Sequence, residues 1–109
     1  MTGFRRAAET PPFEMLAGVR RQMLAEGEHA MVVRVWIDRD AVVPMHTHPH
    51  EQVGHLQSGR ARFTIGEQEL ELGPGDGYEI PGGVPHGVVG LDDCIFVDVF
   101  SPPRDEYRQ

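Results

Sequence analysis

An all-β fold, a single jelly-roll-like β-barrel, is what three features of this sequence predict. Residues 31–37 are β-branched and nearly continuous in hydrophobicity, as expected of a strand covered on both faces. Residues 60–65 and 69–72 alternate polar with apolar, the period of a half-buried strand. Thirteen glycines and nine prolines fall between short apolar runs instead of clustering. That pattern suits many short strands joined by tight turns.

Taken in order, residues 1–12 read as an irregular arm ending in two prolines. The apolar spacing over 13–24 fits a short helix or a pair of edge strands, and strand is the preferred reading. Glu26, Gly27 and Glu28 form a turn before the strand at 31–37, and Asp38, Arg39 and Asp40 turn the chain into 41–43. Residues 52–57 form the next strand, closed by Ser58 and Gly59. The alternating pair at 60–65 and 69–72 turns at Gly66 and Glu67, and ends at the glycine-rich 73–77. A brief strand at 78–80 stops at Pro81, Gly82 and Gly83; 84–89 carries His86; 95–100 is the last strong strand, and 101–109 a proline-led tail. Eight to ten strands at roughly eight- to twelve-residue intervals are the spacing of an antiparallel sandwich or barrel. With no linker or repeat, residues 1–109 are expected to form one domain.

Composition narrows the chemistry. The net charge of −7 and the lack of any basic cluster beyond an arginine pair argue against nucleic acid. No apolar run approaches a membrane span and no signal-peptide core follows the N-terminus, while the single cysteine, Cys94, makes an intrachain disulfide impossible. A cytoplasmic protein is therefore expected. The chain has no lysine, which excludes a Schiff-base mechanism, and its two serines lie outside any nucleophile elbow. An enzyme built from this set works with carboxylates, histidines and a metal.

The stretch 44–52 holds three of the six histidines, together with Glu51 and Gln52. On a strand, His46 and His48 project from one face and chelate a transition metal. The plain alternative is a histidine-rich surface loop, since Pro44 and Pro49 punctuate the stretch. Gln52 offers a carbonyl oxygen past Pro49, and His86 arrives from a separate strand after a glycine- and proline-rich turn. Three or four such ligands, with a position left open, make a mononuclear site. Asp98 interrupts the buried-looking run 95–100, where a carboxylate must be paired, hydrogen-bonded or near a cation. A general acid/base role fits it, the alternative being a solvent-facing strand edge. Phe100 shares its face and either walls the same cavity or simply packs. Arg60, Arg62 and Arg104 are candidates for gripping a substrate carboxylate, with solvent exposure or a dimer contact favoured for Arg62. His50 and Glu51 point away from the metal in this reading, His55 lies opposite Gln52 by alternation, Tyr78 either reaches the barrel mouth or, as preferred, packs, and Cys94 is a small core residue.

Two motifs in these residues resemble those of the cupins. In the first, G-x5-H-x-H-x(3,4)-E-x6-G, the matches are His46, His48 and Gly59, with Gln52 in place of glutamate and Asp40 in place of the leading glycine. In the second, G-x5-P-x-G-x2-H-x3-N, they are Gly75, Pro81, Gly83 and His86, with Gly90 in place of asparagine. The resemblance implies a cupin jelly roll, the double-stranded β-helix. The run His46 to Gln52 and the closing segment Asp98 to Glu106 look further like the KdgF-type sugar cupins of pectin and alginate breakdown. Those proteins convert 4,5-unsaturated uronates to the open-chain keto form. What the resemblance implies is one divalent metal ion held by His46, His48, Gln52 and His86, catalysis by Asp98, and Phe100 and Arg104 in or near the site. It also implies a homodimer acting on a small acidic sugar. Nickel, zinc, manganese, iron and cobalt all suit such ligands. Two other functions stay open at this point: a cupin dioxygenase acting on a small organic substrate, and a non-catalytic metal- or sugar-binding module.

Overall fold

The structure is a computed structural model and describes residues 3–108. Ten strands follow a short 3-10 turn at Ala7–Glu9: β1 (Phe13–Leu16), β2 (Val19–Glu26), β3 (Met31–Ile37), β4 (Val42–His46), β5 (Glu51–Ser58), β6 (Ala61–Ile65), β7 (Gln68–Leu72), β8 (Gly77–Ile80), β9 (His86–Gly90) and β10 (Cys94–Ser101). A second 3-10 turn, Asp105–Tyr107, ends the fold. Every strand pairing is antiparallel. The strands make a six-stranded sheet, β1-β2-β3-β10-β5-β8, and a four-stranded sheet, β4-β9-β6-β7. Two sheets enclosing one interior are the jelly roll the sequence predicts, although hydrogen bonds do not join them into a closed ring.

The interior is built by period-two alternation. On β10, Cys94, Phe96, Asp98 and Phe100 are buried while the residues between them are half-buried, so all four share the inner face. Val19, Ile37, Leu56, Phe63, Ile80 and Phe96 belong to the main core; Met23, Met31, Val33, Phe100 and Tyr107 form a second cluster. Phe96 is 2 % exposed, and its truncation to alanine is expected to cost roughly 3–5 kcal/mol.

The outer face of β3 differs from the fully covered strand expected. Val32, Arg34 and Trp36 are only half-buried, and arginines flank the indole: Arg20 lies 5.4 Å and Arg34 5.7 Å from the Trp36 ring. The two guanidinium groups thus share the indole face on that surface as cation–π partners. The segment 13–24 is two strands, as preferred, and the N-terminal arm is irregular but anchored: the Gln22 amide donates to the Ala7 and Thr10 carbonyls. No helix among the described residues is long and apolar enough to cross a membrane.

Candidate metal centre

Three histidines converge from three places in the chain. His46 ends β4, His86 opens β9 directly opposite it in register, and His48 lies in the loop beyond β4. The expectation that His46 and His48 project from one strand is therefore corrected. The ladder shifts between Val43 and His46, β4 stops at His46, and the proline-bounded loop curls back to bring His48 in from the side. The second motif holds that loop: Gly83 N–H donates to the His48 carbonyl, 2.9 Å. A Cβ on Gly82 would stand 2.2 Å from the Pro49 oxygen, so only glycine permits this approach.

Ring centroids are 4.3 Å apart for His46 and His86, and 4.8 Å for His48 and His86. One ring nitrogen of each histidine is committed to a backbone carbonyl. His46 Nδ1 lies 2.8 Å from the Pro44 oxygen, His48 Nδ1 3.0 Å from that of His50, and His86 Nδ1 2.9 Å from that of Val84. A carbonyl only accepts, so each Nδ1 carries the proton and each Nε2 is left as a lone pair. The three potential ligand atoms lie within 4.8 Å of one another. An ion bonded at ~2.1 Å to each spans at most ~4.2 Å, so a slight inward closure completes the cluster.

Two further observations test the fit of a cation. His86 Nε2 is buried without a partner. His48 Nε2 faces the Gln52 Oε1 atom at 3.1 Å. With the His48 proton on Nδ1, the His48 Nε2 lone pair and the Gln52 oxygen face the same point, an arrangement that a shared cation would satisfy. Protonating the rings is no substitute. Burial pushes His86 down from 6.5 to about 4, and burial together with the Arg104 charge lowers His48. The residues present fit a divalent metal, with His46, His48, His86 and Gln52 as its holders.

Asp98 lies on the central strand of the six-stranded sheet and is 5 % exposed. Burial raises its pKa from 3.8 to about 6, against the opposing pull of hydrogen bonds from Tyr78 and Gln52 and the charges of His55 and Arg104. The Tyr78 hydroxyl donates to Asp98 Oδ1 at 2.5 Å. The Gln52 amide thus faces two ways, its oxygen toward His48 and its N–H toward Asp98. A glutamate there would turn a second carboxylate onto Asp98, a physical reason for the amide.

Asp98, Phe100, Arg104, Gln52, His46 and His86 all line one pocket of about 60 Å³, room for an ion and a few waters. The Phe100 ring stands edge-on to His48, centroids 5.7 Å apart. Arg104 lies over Tyr107 and Phe100, 4.2 and 5.2 Å from their rings, and donates to the Tyr107 hydroxyl, 2.9 Å; its Nε is buried without a partner. Arg62 is corrected: it lies outside the pocket on β6, half exposed, where its guanidinium pairs with Glu69 at 3.3 Å. Arg60 is likewise on the surface, bound to Glu71. By alternation Ala61 and Phe63 take the interior, which leaves both arginines outside. His55, Glu51 and His29 are exposed, whereas His50 is half-buried and supplies the carbonyl that fixes His48. Gly54 was not legible as a site residue from the sequence, nor was the contact between Tyr78 and Asp98.

The cupin domain family model matches residues 33–100, and the chain belongs to that family. Within it, the sequence is 30% identical to the pectin degradation protein KdgF of Dickeya dadantii over 101 residues, 91% of this chain and 92% of that one. Among solved structures, an RmlC-like cupin from Shewanella frigidimarina superposes with a TM-score of 0.92 at 30% identity, covering 98% of this chain and 96% of that one. KdgF from a Halomonas species superposes with a TM-score of 0.90 at 31% identity, covering 97% and 98%. Oxalate decarboxylase of Bacillus subtilis, at 21% identity, shares the fold.

Proposed function

We propose that this protein is a metal-dependent cupin enzyme that opens 4,5-unsaturated uronate sugars to their open-chain keto form. The observation that carries the reading is Asp98: a buried carboxyl with a pKa of about 6, lining the same pocket as His46 and His86. Such a group gives and takes protons near neutral pH. Similarity to a pectin degradation protein directs the reading to uronates. A bound divalent ion supplies Lewis acidity toward sugar oxygens and tightens the grip of the four ligands.

Opening a cyclic hemiacetal frees an aldehyde at C1 and an enol at C4–C5. The enol becomes a ketone at C5 when a proton is added to C4. Asp98 removes the C1 hydroxyl proton and returns one to C4, so no oxidant or reductant is consumed. Arg104, with its partnerless Nε, binds the substrate carboxylate, and Phe100 walls the reacting carbons from water. Arg62 takes no part. Residues 1–109 work as one domain and as a homodimer, in the cytoplasm, where a single buried thiol is at home.

The test is anaerobic incubation of metal-loaded and chelator-treated protein with a 4,5-unsaturated monouronate, following the conjugated-ene absorbance. Metal-dependent loss of absorbance faster than in buffer, without oxygen, is expected. A rate equal to buffer refutes the reading, and oxygen uptake with small organic substrates would favour a dioxygenase.

A further inference from the structure

Tyr78 packs as the sequence suggests, its ring 4.4 Å from that of Phe63 and 6.2 Å from that of Phe96. A phenylalanine would fill that space equally well, so packing leaves the hydroxyl unexplained. Burying a hydroxyl without a partner costs ~1–3 kcal/mol. Here it has one partner, Asp98 Oδ1, at 2.5 Å. That length is at the short, charge-assisted end for O–H···O⁻ bonds.

The backbone is shaped around this bond. Asp98 pairs with Gly54 across β10 and β5, and Gly54 pairs with Tyr78 across β5 and β8, so the two side chains meet over a glycine. A Cβ at Gly54 would stand 2.3 Å from Asp98 Oδ1 and 2.9 Å from the Tyr78 oxygen. Any other residue would occupy the place of the hydrogen bond. Gln52, on the histidine side, donates to the same carboxyl. Held by donors from two strands, the carboxyl cannot rotate freely.

We propose that Tyr78 is the positioning residue for Asp98: its hydroxyl ties Oδ1, so that the other oxygen is the one presented to substrate. This rests on the reading of Asp98 as the proton-moving group. Tyr78 does not itself touch substrate, so its loss falls on turnover and spares binding. A misaligned reacting group costs on the order of 100-fold.

Two readouts of the metal-loaded protein test the proposal. In proton NMR at neutral pH, the Tyr78–Asp98 proton should resonate downfield of the backbone amides. It should disappear in Tyr78→Phe and move upfield in Asp98→Asn, whose neutral carbonyl is a weaker acceptor. In the uronate assay, Tyr78→Phe should lower kcat by about 10- to 100-fold, with KM within about twofold and metal content unchanged. No such resonance in the wild type overturns the proposal, as does wild-type kcat in Tyr78→Phe. The resonance is read in the wild type, so a variant that fails to fold does not remove the test. A wild type that shows the resonance but leaves the uronate unchanged refutes the proposed reaction while supporting the Tyr78–Asp98 pair.

Discussion

Replacing Asp98 by asparagine should stabilise the metal-free protein more at neutral pH than near pH 4. The carboxyl has a pKa of about 6 in the fold and 3.8 in its ordinary state. Between those values the folded chain keeps a proton that the unfolded chain has released. Stability therefore falls as pH rises through this window, by ~3 kcal/mol in all, and the loss is complete above pH 6. His86 works in the opposite sense, its pKa lowered from 6.5 to about 4. There the unfolded chain holds the extra proton, so stability rises with pH across nearly the same window, by a similar ~3 kcal/mol. The two slopes nearly cancel in the wild type. Asp98→Asn removes one of them. The asparagine carbonyl still accepts from Tyr78, and any change in that bond offsets both pH values alike. The assay is urea unfolding of chelator-treated wild type and variant at pH 4 and pH 7. The variant's advantage should grow by ~2 kcal/mol between them, because at pH 4 the unfolded carboxyl is already partly ionised; restoring a divalent ion should shrink it, because the ion favours the ionised carboxyl. An advantage identical at both pH values would refute the burial argument.

Other outcomes follow from the same geometry. His86→Ala should strip most of the metal, whereas His55→Ala, on the exposed face of β5, should leave occupancy unchanged; elemental analysis reads both, and equal losses would contradict the ligand assignment. Arg104→Met should raise KM for the uronate about 10-fold or more by removing a charged hydrogen-bond donor, while Arg62→Ala, paired with Glu69 outside the pocket, should change it less than about twofold. Gly54→Ala should lower both melting temperature and turnover, because the new methyl meets Asp98 Oδ1 at 2.3 Å and the Val97 oxygen at 2.5 Å; unchanged turnover would show that the row over Gly54 is not needed. Light scattering should report twice the 12.2 kDa chain mass, with the exposed Phe13 and Leu16 of edge strand β1 as contacts, and a monomer would contradict this.

The strands were legible because burial on one face imposes period two. The run 95–100 therefore revealed both its place in the interior and the oddity of an aspartate within it. The turn glycines were legible for a backbone reason. Gly59, Gly75 and Gly83 all adopt positive φ, and Asp40, standing where the motif has glycine, does too, at 69°, in a region that aspartate tolerates better than most residues. What stayed hidden depends on pairing across strands distant in sequence. Nothing near Tyr78 says that its neighbour across β5 is a glycine and the next strand over carries Asp98. The placement of His48 was missed for a related reason, since alternation cannot foresee a strand that ends two residues early. Arg62 was ambiguous because alternation offers two phases; the burial of Ala61 and Phe63 selects one of them.

The central claim is that Asp98 moves the proton that turns the enol into a ketone. Running the reaction in D2O, anaerobically and with metal content verified, tests it most directly by NMR of the product. With the wild type, deuterium should enter on a single face of C4. With metal-retaining Asp98→Asn it predicts only the slow, two-faced incorporation seen in buffer. Single-faced deuteration at an undiminished rate in that variant would contradict it.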